Sequence, residues 1–447
     1  MERMNRFQRF LQIVEAQDPS AKAIDFERNG SLVSLSFGEV LKRFQGMNVP
    51  EGDNLGVFCS GDLNTLLAIL KASDLGKTIT LFNPMDEEGV LKEQLIASGV
   101  DALIAPEELV EAFAPLLPKT KKNDLRGKIL FFTSGTTSSA KAVILDQARL
   151  CSSAYNGASL LPLEPKDELL CALPLSHVFG FVCSWLWAWE CGASIALSRG
   201  LRSLFSDFQF FKPTAVSLVP QMAAFLTAKR LFNPELRLIL IGAGPCDDVV
   251  LQGIRSMGIR LSYGYGLSET SSGVALSLGD DPRAFSIVPD DEVKLAVDGE
   301  ILVKAPSTVF EGYLNHPEDT AASFDEDGYL KTGDFGEFDE RGLLHLKGRK
   351  KDMLALDDGT KMFLPEHEAK LRALLGLEDI ALLQDASHHV VLAVGKGIPS
   401  QEIEEKVERY NDGLSRGQKI VSVKYLEGPL PRNSAGKIKR YQIKLPE

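Results

Sequence analysis

The chain has 447 residues, 44% of them hydrophobic and 25% charged, with a formal net charge of −12 at pH 7. That length and composition suit a globular protein of more than one domain. The acidic balance argues against nucleic-acid binding as a main task, because phosphate backbones need a basic face; a few local cations can still hold an anionic small molecule.

The N-terminal stretch MERMNRFQRFLQIVEAQD contains acids and no apolar run of signal-peptide length, so it reads as an amphipathic first helix. From 53 to 105, strand-like and helix-like segments alternate: NLGVFCS, LNTLLAILKASD, TITLFNP, LKEQLIASG and DALIAP. Such alternation argues for parallel βαβ units. The longest apolar stretch, Val178 to Trp189, stops at Glu190. It is too short to span a bilayer, which takes about 20 residues. The βαβ pattern returns in TAVSLVP, QMAAFLTAKRLF, LRLILIGAG, DDVVLQGIRSMG and RLSYGYG, which makes two parallel-sheet α/β subdomains.

After about Asp290 the texture changes to alternating apolar positions with turn residues, a β-rich pattern. GRKKDM at 348–353 is charged and glycine-led, as a hinge would be, and a small α+β pattern follows it. There Ile403, Val407, Tyr410 and Leu414 share one helix face that Ser400 can cap. The expected division is a large domain over 1–350 and a small mobile domain over 351–447. The six cysteines, Cys59, Cys151, Cys171, Cys183, Cys191 and Cys246, form no CxxC and no zinc-ligand spacing with the histidines. Free thiols in a reducing, cytoplasmic setting are the expectation.

One segment stands out chemically. Thr133, Ser134, Gly135, Thr136 and Thr137 follow the apolar run KILFF, and the segment ends on Lys141. Hydroxyls, backbone N–H groups and one cation suit a polyphosphate, and Gly135 allows close backbone approach. A plain polar loop after a strand is the alternative. The second glycine of the GxxxxGK[ST] loop is missing, so this is not that motif. Gly76-Lys77-Thr78 ends like such a loop, but Lys71 stands where its first glycine should be.

TSGTTSSAKAV at 133–143 resembles the phosphate-binding signature of the adenylate-forming superfamily, which includes acyl-CoA synthetases. Further motifs follow in the family's order: LPLSHVFGF (173–181), GAGPC (242–246), YGYGLSET (263–270), GEI (299–301), GYL (312–314), YLKTGD (329–334), GRKKD (348–352), PEHE (365–368) and LPRNSAGKIKR (430–440). The resemblance covers nearly the whole chain. It implies that ATP and Mg²⁺ are used to activate a small-molecule carboxylic acid as an acyl-adenylate. The acyl group would then pass to CoA or to the phosphopantetheine of an acyl carrier protein.

By the same resemblance, Gly242, Ala243 and Gly244 flank adenine, Tyr265 stacks on it, and Gly266 and Ser268 belong to the nucleotide site. Asp334 accepts the ribose hydroxyls, and Arg349 contacts ribose and phosphate. Glu269 and Thr136 hold the metal. Lys437 is the cation of the adenylation step, His177 lies where the carboxylate enters, and Lys351 is the hinge pivot. Val178, Phe179 and Gly264 line the acyl pocket.

Ser138, Ala140 and Ala142 replace the family's usual Gly, Pro and Gly. Together with GRKKDMLALDDGTKMFLPEHE they look like a bacterial fatty acyl-CoA synthetase branch. Residues 174–189 hold no Asp or Glu to meet a substrate ammonium, so an amino acid is disfavoured. Their aromatic residues suit an apolar acyl chain, although Phe179, Phe181, Trp185 and Trp189 at helical spacing equally suit a core. An aryl acid, or a non-catalytic nucleotide-binding role, are the alternatives.

Overall fold

Strands Asn54–Phe58 and Thr78–Phe82 are buried at every position, and Lys128–Phe132 at all but its first. Continuous apolar runs of this kind need cover on both faces, the condition of a parallel sheet. These three and Ala102–Ile104 pair in parallel. Ala142–Asp146 then runs antiparallel to Lys128–Phe132, and Gly312–Tyr313 closes that edge. The helix expected over LNTLLAILKASD is Leu63–Asp74, and the Asp62 side chain caps it by accepting from the Thr65 N–H. The computed structural model describes residues 7–117, 125–133, 141–356, 361–432 and 438–446.

The second sheet is parallel through Arg260–Tyr265, Leu238–Ile241, Ala215–Leu218, Glu168–Cys171 and Ser194–Leu197. The hairpin Lys22–Arg28 and Ser31–Ser36, which comes first in the chain, docks on its far edge beside Ser194–Leu197. At the other edge Ala275–Ser277 turns antiparallel to Arg260–Tyr265. Pairing continues through Phe285–Ile287, Leu344–Arg349, Leu330–Phe338, Glu300–Lys304 and Glu292–Leu295. Among the described residues this makes one sheet of 13 strands. The β-rich texture therefore begins at 275, before Asp290, and extends the second sheet.

The aromatic run resolves toward the core. Phe181, Trp185 and Trp189 are fully buried and pack edge-on, with ring centroids 4.8 and 5.5 Å apart. Phe10 of the first helix covers them. The helix loosens to π geometry over Val182–Leu186, a distortion that often accompanies a function. All six cysteines are free thiols. Among the described residues no helix is long and apolar enough to cross a membrane.

Past the strand ending at Arg349, a separate apolar cluster gathers Met362, Leu371, Ile380, Leu392, Val407 and Ile420 around a three-stranded sheet. Lys351 sits in the short turn Lys350–Asp352 that leads there. Phe335 and Phe363 meet edge-on across this turn at 5.9 Å, and Arg440 pairs with Asp352 at 2.8 Å. Two details of the expected last helix differ. It spans Gln401–Asn411, so Leu414 lies beyond its end, and Ser400 stands at the N-cap without a side-chain cap bond. Instead the Ser400 N–H donates to the Tyr425 hydroxyl at 3.3 Å. The overall architecture is mixed α/β, with a large N-terminal part and a small C-terminal one.

Candidate active site

The ends of the parallel strands and the antiparallel extension place the candidate residues. Asp334 and Arg349 are direct cross-strand partners in Leu330–Phe338 and Leu344–Arg349. Arg349 Nε lies 3.2 Å from Asp334 Oδ1, and the Tyr265 hydroxyl donates to Asp334 Oδ2 at 3.1 Å. Burial pushes the Asp334 carboxyl above its ordinary pKa; the charges of Arg349 and Lys351 and the Tyr265 hydrogen bond work against that shift. Burial, reinforced by Asp334, raises the Tyr265 phenol well above its usual value. Two residues far apart in sequence, Tyr265 and Arg349, thus meet on the one Asp334 carboxylate. A carboxylate accepts more than two hydrogen bonds, so it can also take the hydroxyls of a sugar.

Gly266 follows Tyr265 where the chain folds back on itself. A Cβ there would lie 1.5 Å from the Ser272 carbonyl oxygen and 2.6 Å from its carbon. Backbone cannot yield as a side-chain tip can, so only glycine fits. Gly266→Ala is expected to displace the Ser268–Thr270 turn, lowering the melting temperature by several degrees and abolishing nucleotide binding. A thermal melt with and without ATP checks both. Ser268 and Glu269 lie in that turn. The Phe310 N–H donates to the Glu269 carbonyl at 2.8 Å, and the Tyr313 hydroxyl donates to Glu269 Oε1 at 2.6 Å.

The neck of the loop expected to hold phosphates is a backbone pair. The Thr133 N–H donates to the Lys141 carbonyl at 2.9 Å, and the Thr133 hydroxyl donates to it at 3.3 Å. Lys141 Nζ pairs with Asp319 Oδ2 at 2.9 Å and stands 5.2 Å from the Tyr313 ring centre. Ser134, Gly135, Thr136 and Thr137 between these ends, and Lys437 near the C-terminus, lie outside the described residues.

Gly242, Ala243 and Gly244 form the turn after Leu238–Ile241, with Ala243 held at φ 67°. The Phe179 ring lies against Gly242, and a Cβ there would meet its Cζ at 2.8 Å. Val178, by contrast, is 2% exposed and packs in the core. At Gly264 an added Cβ would make ordinary contacts with Leu276 and Leu240, at 3.5 and 3.6 Å. These two leucines wall an apolar cavity of about 30 Å³, together with Leu161, Val182, Trp187 and Val288. The Cys183 thiol on its wall is pushed up to about 11 by burial. His177 stands at the start of the turn Val178–Phe181 with its side chain open to solvent. Protein crowding its other sides lowers the imidazole pKa, and the charge of Asp86 opposes the shift.

Mg²⁺ is commonly held by one or two carboxylates together with substrate phosphates. Glu269, half-buried beside the loop lysine's partner Tyr313, suits such a site. No group of three or more His, Cys, Asp or Glu side chains placed to hold a metal ion gathers among the described residues. Tyr313 is the site residue that motif reading left without a role, and its only signal was its place in GYL (312–314).

Residues 118–314 match the family model described as AMP-binding enzyme. A 2-succinylbenzoate–CoA ligase of Listeria monocytogenes is 27% identical, over 95% of this chain and 96% of that protein. A long-chain-fatty-acid–CoA ligase of Mycobacterium bovis is 29% identical, over 66% of this chain and 58% of that one. In fold, an O-succinylbenzoate coenzyme A synthetase from Bacillus subtilis, solved with AMP, superposes with a TM-score of 0.79 at 24% identity and 97% coverage of both chains. With the motif order, these likenesses make the chain similar along nearly its whole length to AMP-binding, adenylate-forming enzymes, and the relatives cited are named as acid–CoA ligases.

Proposed function

We propose that this chain activates an apolar monocarboxylic acid as its acyl-adenylate and then hands the acyl group to a thiol. The observation that carries the nucleotide half is the buried Asp334 with Arg349 and Tyr265 on its two oxygens. In the first step a carboxylate oxygen forms a bond to the α-phosphorus of ATP, and the bond to the bridging oxygen breaks to release pyrophosphate. In the second, the thiol sulfur attacks the acyl carbon, AMP leaves with the anhydride oxygen, and the thiol proton passes to solvent.

Asp334 and Arg349 hold the ribose in this reading, and the Gly242–Gly244 turn and Tyr265 frame the adenine. The loop from Thr133 through Ser134, Gly135, Thr136 and Thr137 to Lys141 holds the phosphates. Bound Mg²⁺ would neutralise phosphate charge, with Glu269 and Thr136 as its protein ligands. Lys437 meets the reacting groups, and His177 stands at the carboxylate's entry. The domain over 351–447 turns about Lys351 between the two steps.

The cavity bears on the end of the acyl tail, its free space of about 30 Å³ taking about one methyl group. It adjoins Gly264 and the segment after Phe179, and none of its wall residues is charged. A second carboxylate buried there would lack a partner, which costs several kcal/mol. An apolar tail suits it better. An aryl acid is the second reading, favoured by the 95% span shared with a protein named as a 2-succinylbenzoate–CoA ligase. The relatives' names also favour CoA over a carrier protein as the thiol.

Gly157 offers a direct test. It lines the cavity, and an added Cβ would meet nothing within 4 Å. Gly157→Ala is expected to fill the space and cut kcat/KM for the longest accepted acid about fourfold, since each buried methylene is worth about 0.8 kcal/mol. The shortest accepted acid should keep its rate. An unchanged profile would place the acyl tail elsewhere.

A further inference from the structure

We infer that Tyr313 is a positioning residue for the nucleotide site: its hydroxyl orients the Glu269 carboxylate while its ring steadies the loop lysine Lys141. The inference rests on the reading of Glu269 as the metal carboxylate.

The Tyr313 side chain is held on several sides. Its strand, Gly312–Tyr313, pairs with the strand that leaves the phosphate loop, Tyr313 opposite Val143 and Gly312 opposite Ile144. Gly312 has φ 146°, and a Cβ there would meet the Thr320 Cγ2 at 2.7 Å, so the strand lies tight on helix Pro317–Ala322. The Tyr313 N–H donates to the Thr320 hydroxyl at 2.9 Å, and Phe310 packs edge-on against the ring at 4.8 Å.

From that fixed position the ring reaches both halves of the site. Its hydroxyl donates to Glu269 Oε1 at 2.6 Å, and the Lys141 ammonium stands 5.2 Å from the ring centre. Among the described residues no second side chain takes the Glu269 carboxylate. A phenol, with an ordinary pKa of about 10, is a neutral hydrogen-bond donor at pH 7. A carboxylate with one oxygen pinned by a neutral donor presents the other in a fixed direction. Hydrogen bonds of this kind behind a metal ligand are commonly worth about 10- to 100-fold in metal affinity.

Tyr313→Phe keeps the ring, the Phe310 contact and the cation–π partner of Lys141, and removes the hydroxyl alone. The measurement is the tightening of ATP binding by Mg²⁺, read by calorimetry with and without the metal. Alongside it run the free Mg²⁺ giving half-maximal pyrophosphate exchange and the melting temperature. Tyr313→Phe should reduce the Mg²⁺-dependent tightening about tenfold, with metal-free ATP affinity and melting temperature unchanged. Glu269→Gln should abolish the tightening. Glu269→Asp, which draws the carboxylate away from the phenol, should move in the same direction as Tyr313→Phe and covers the case in which that variant folds poorly.

Parental Mg²⁺ dependence in Tyr313→Phe, with Glu269→Gln shifted, overturns the inference and leaves the metal reading standing. Equal weakening of ATP with and without Mg²⁺ also overturns it, since a merely structural role would give that. An unshifted Glu269→Gln overturns the metal reading, and the inference with it.

Discussion

Lys437→Ala is expected to lower acid-dependent ATP–pyrophosphate exchange by about 10²- to 10³-fold, the usual cost of removing one charge-stabilising group from a transition state. The reason is electrostatic. The attacking carboxylate and the α-phosphate are both anions, and two unit charges about 4 Å apart near a protein surface repel by about 4 kcal/mol. A cation between them offsets that repulsion and is needed most as the fifth oxygen approaches phosphorus. The melting temperature should not move, because in the proposed reading the lysine acts on the reacting groups. ATP affinity should fall far less than the rate. Parental exchange in this variant would remove Lys437 from the adenylation step.

Asp334→Asn carries the second large effect, on binding. Each hydrogen bond to a charged acceptor contributes about 1.5–3 kcal/mol. Loss of the acceptor charge for a ribose should cost about 2–4 kcal/mol, or about 30- to 1,000-fold in the Kd for ATP. The substitution also leaves the Arg349 guanidinium, 3.2 Å away, without its counter-charge and alters the acceptor of the Tyr265 hydroxyl. Both ATP and AMP should weaken alike, because the ribose is common to them. Calorimetry with each nucleotide checks this. A variant that binds AMP as the parent does would place the ribose elsewhere.

Much of the fold was legible in sequence because several strands are continuous apolar runs and some helices, such as Leu63–Asp74, begin on a capping side chain. Leu63–Asp74 matched the helix reading residue for residue. The pairing of Lys22–Arg28 beside Ser194–Leu197 was not legible, since a contact across so long a loop leaves no local pattern. Aromatic content alone likewise could not separate a core from a pocket: Phe181, Trp185 and Trp189 are buried in the core, whereas Phe179 borders the Gly242 turn. For the candidate site, motif order pointed to Asp334, Arg349, Tyr265 and Glu269. Their joining depends on cross-strand register and on the turn at Gly266, which only the folded chain shows. Tyr313 shows the limit most clearly, because its role rests on a hydrogen bond to a residue 44 positions away.

The most direct test of the account is acid-dependent ATP–pyrophosphate exchange across straight-chain, branched and aryl monocarboxylic acids, with a dicarboxylic acid as contrast. The account predicts exchange that requires an acid and Mg²⁺, is strongest with apolar monocarboxylates, and yields AMP and a thioester once a thiol is supplied. No exchange with any acid in the panel would contradict it.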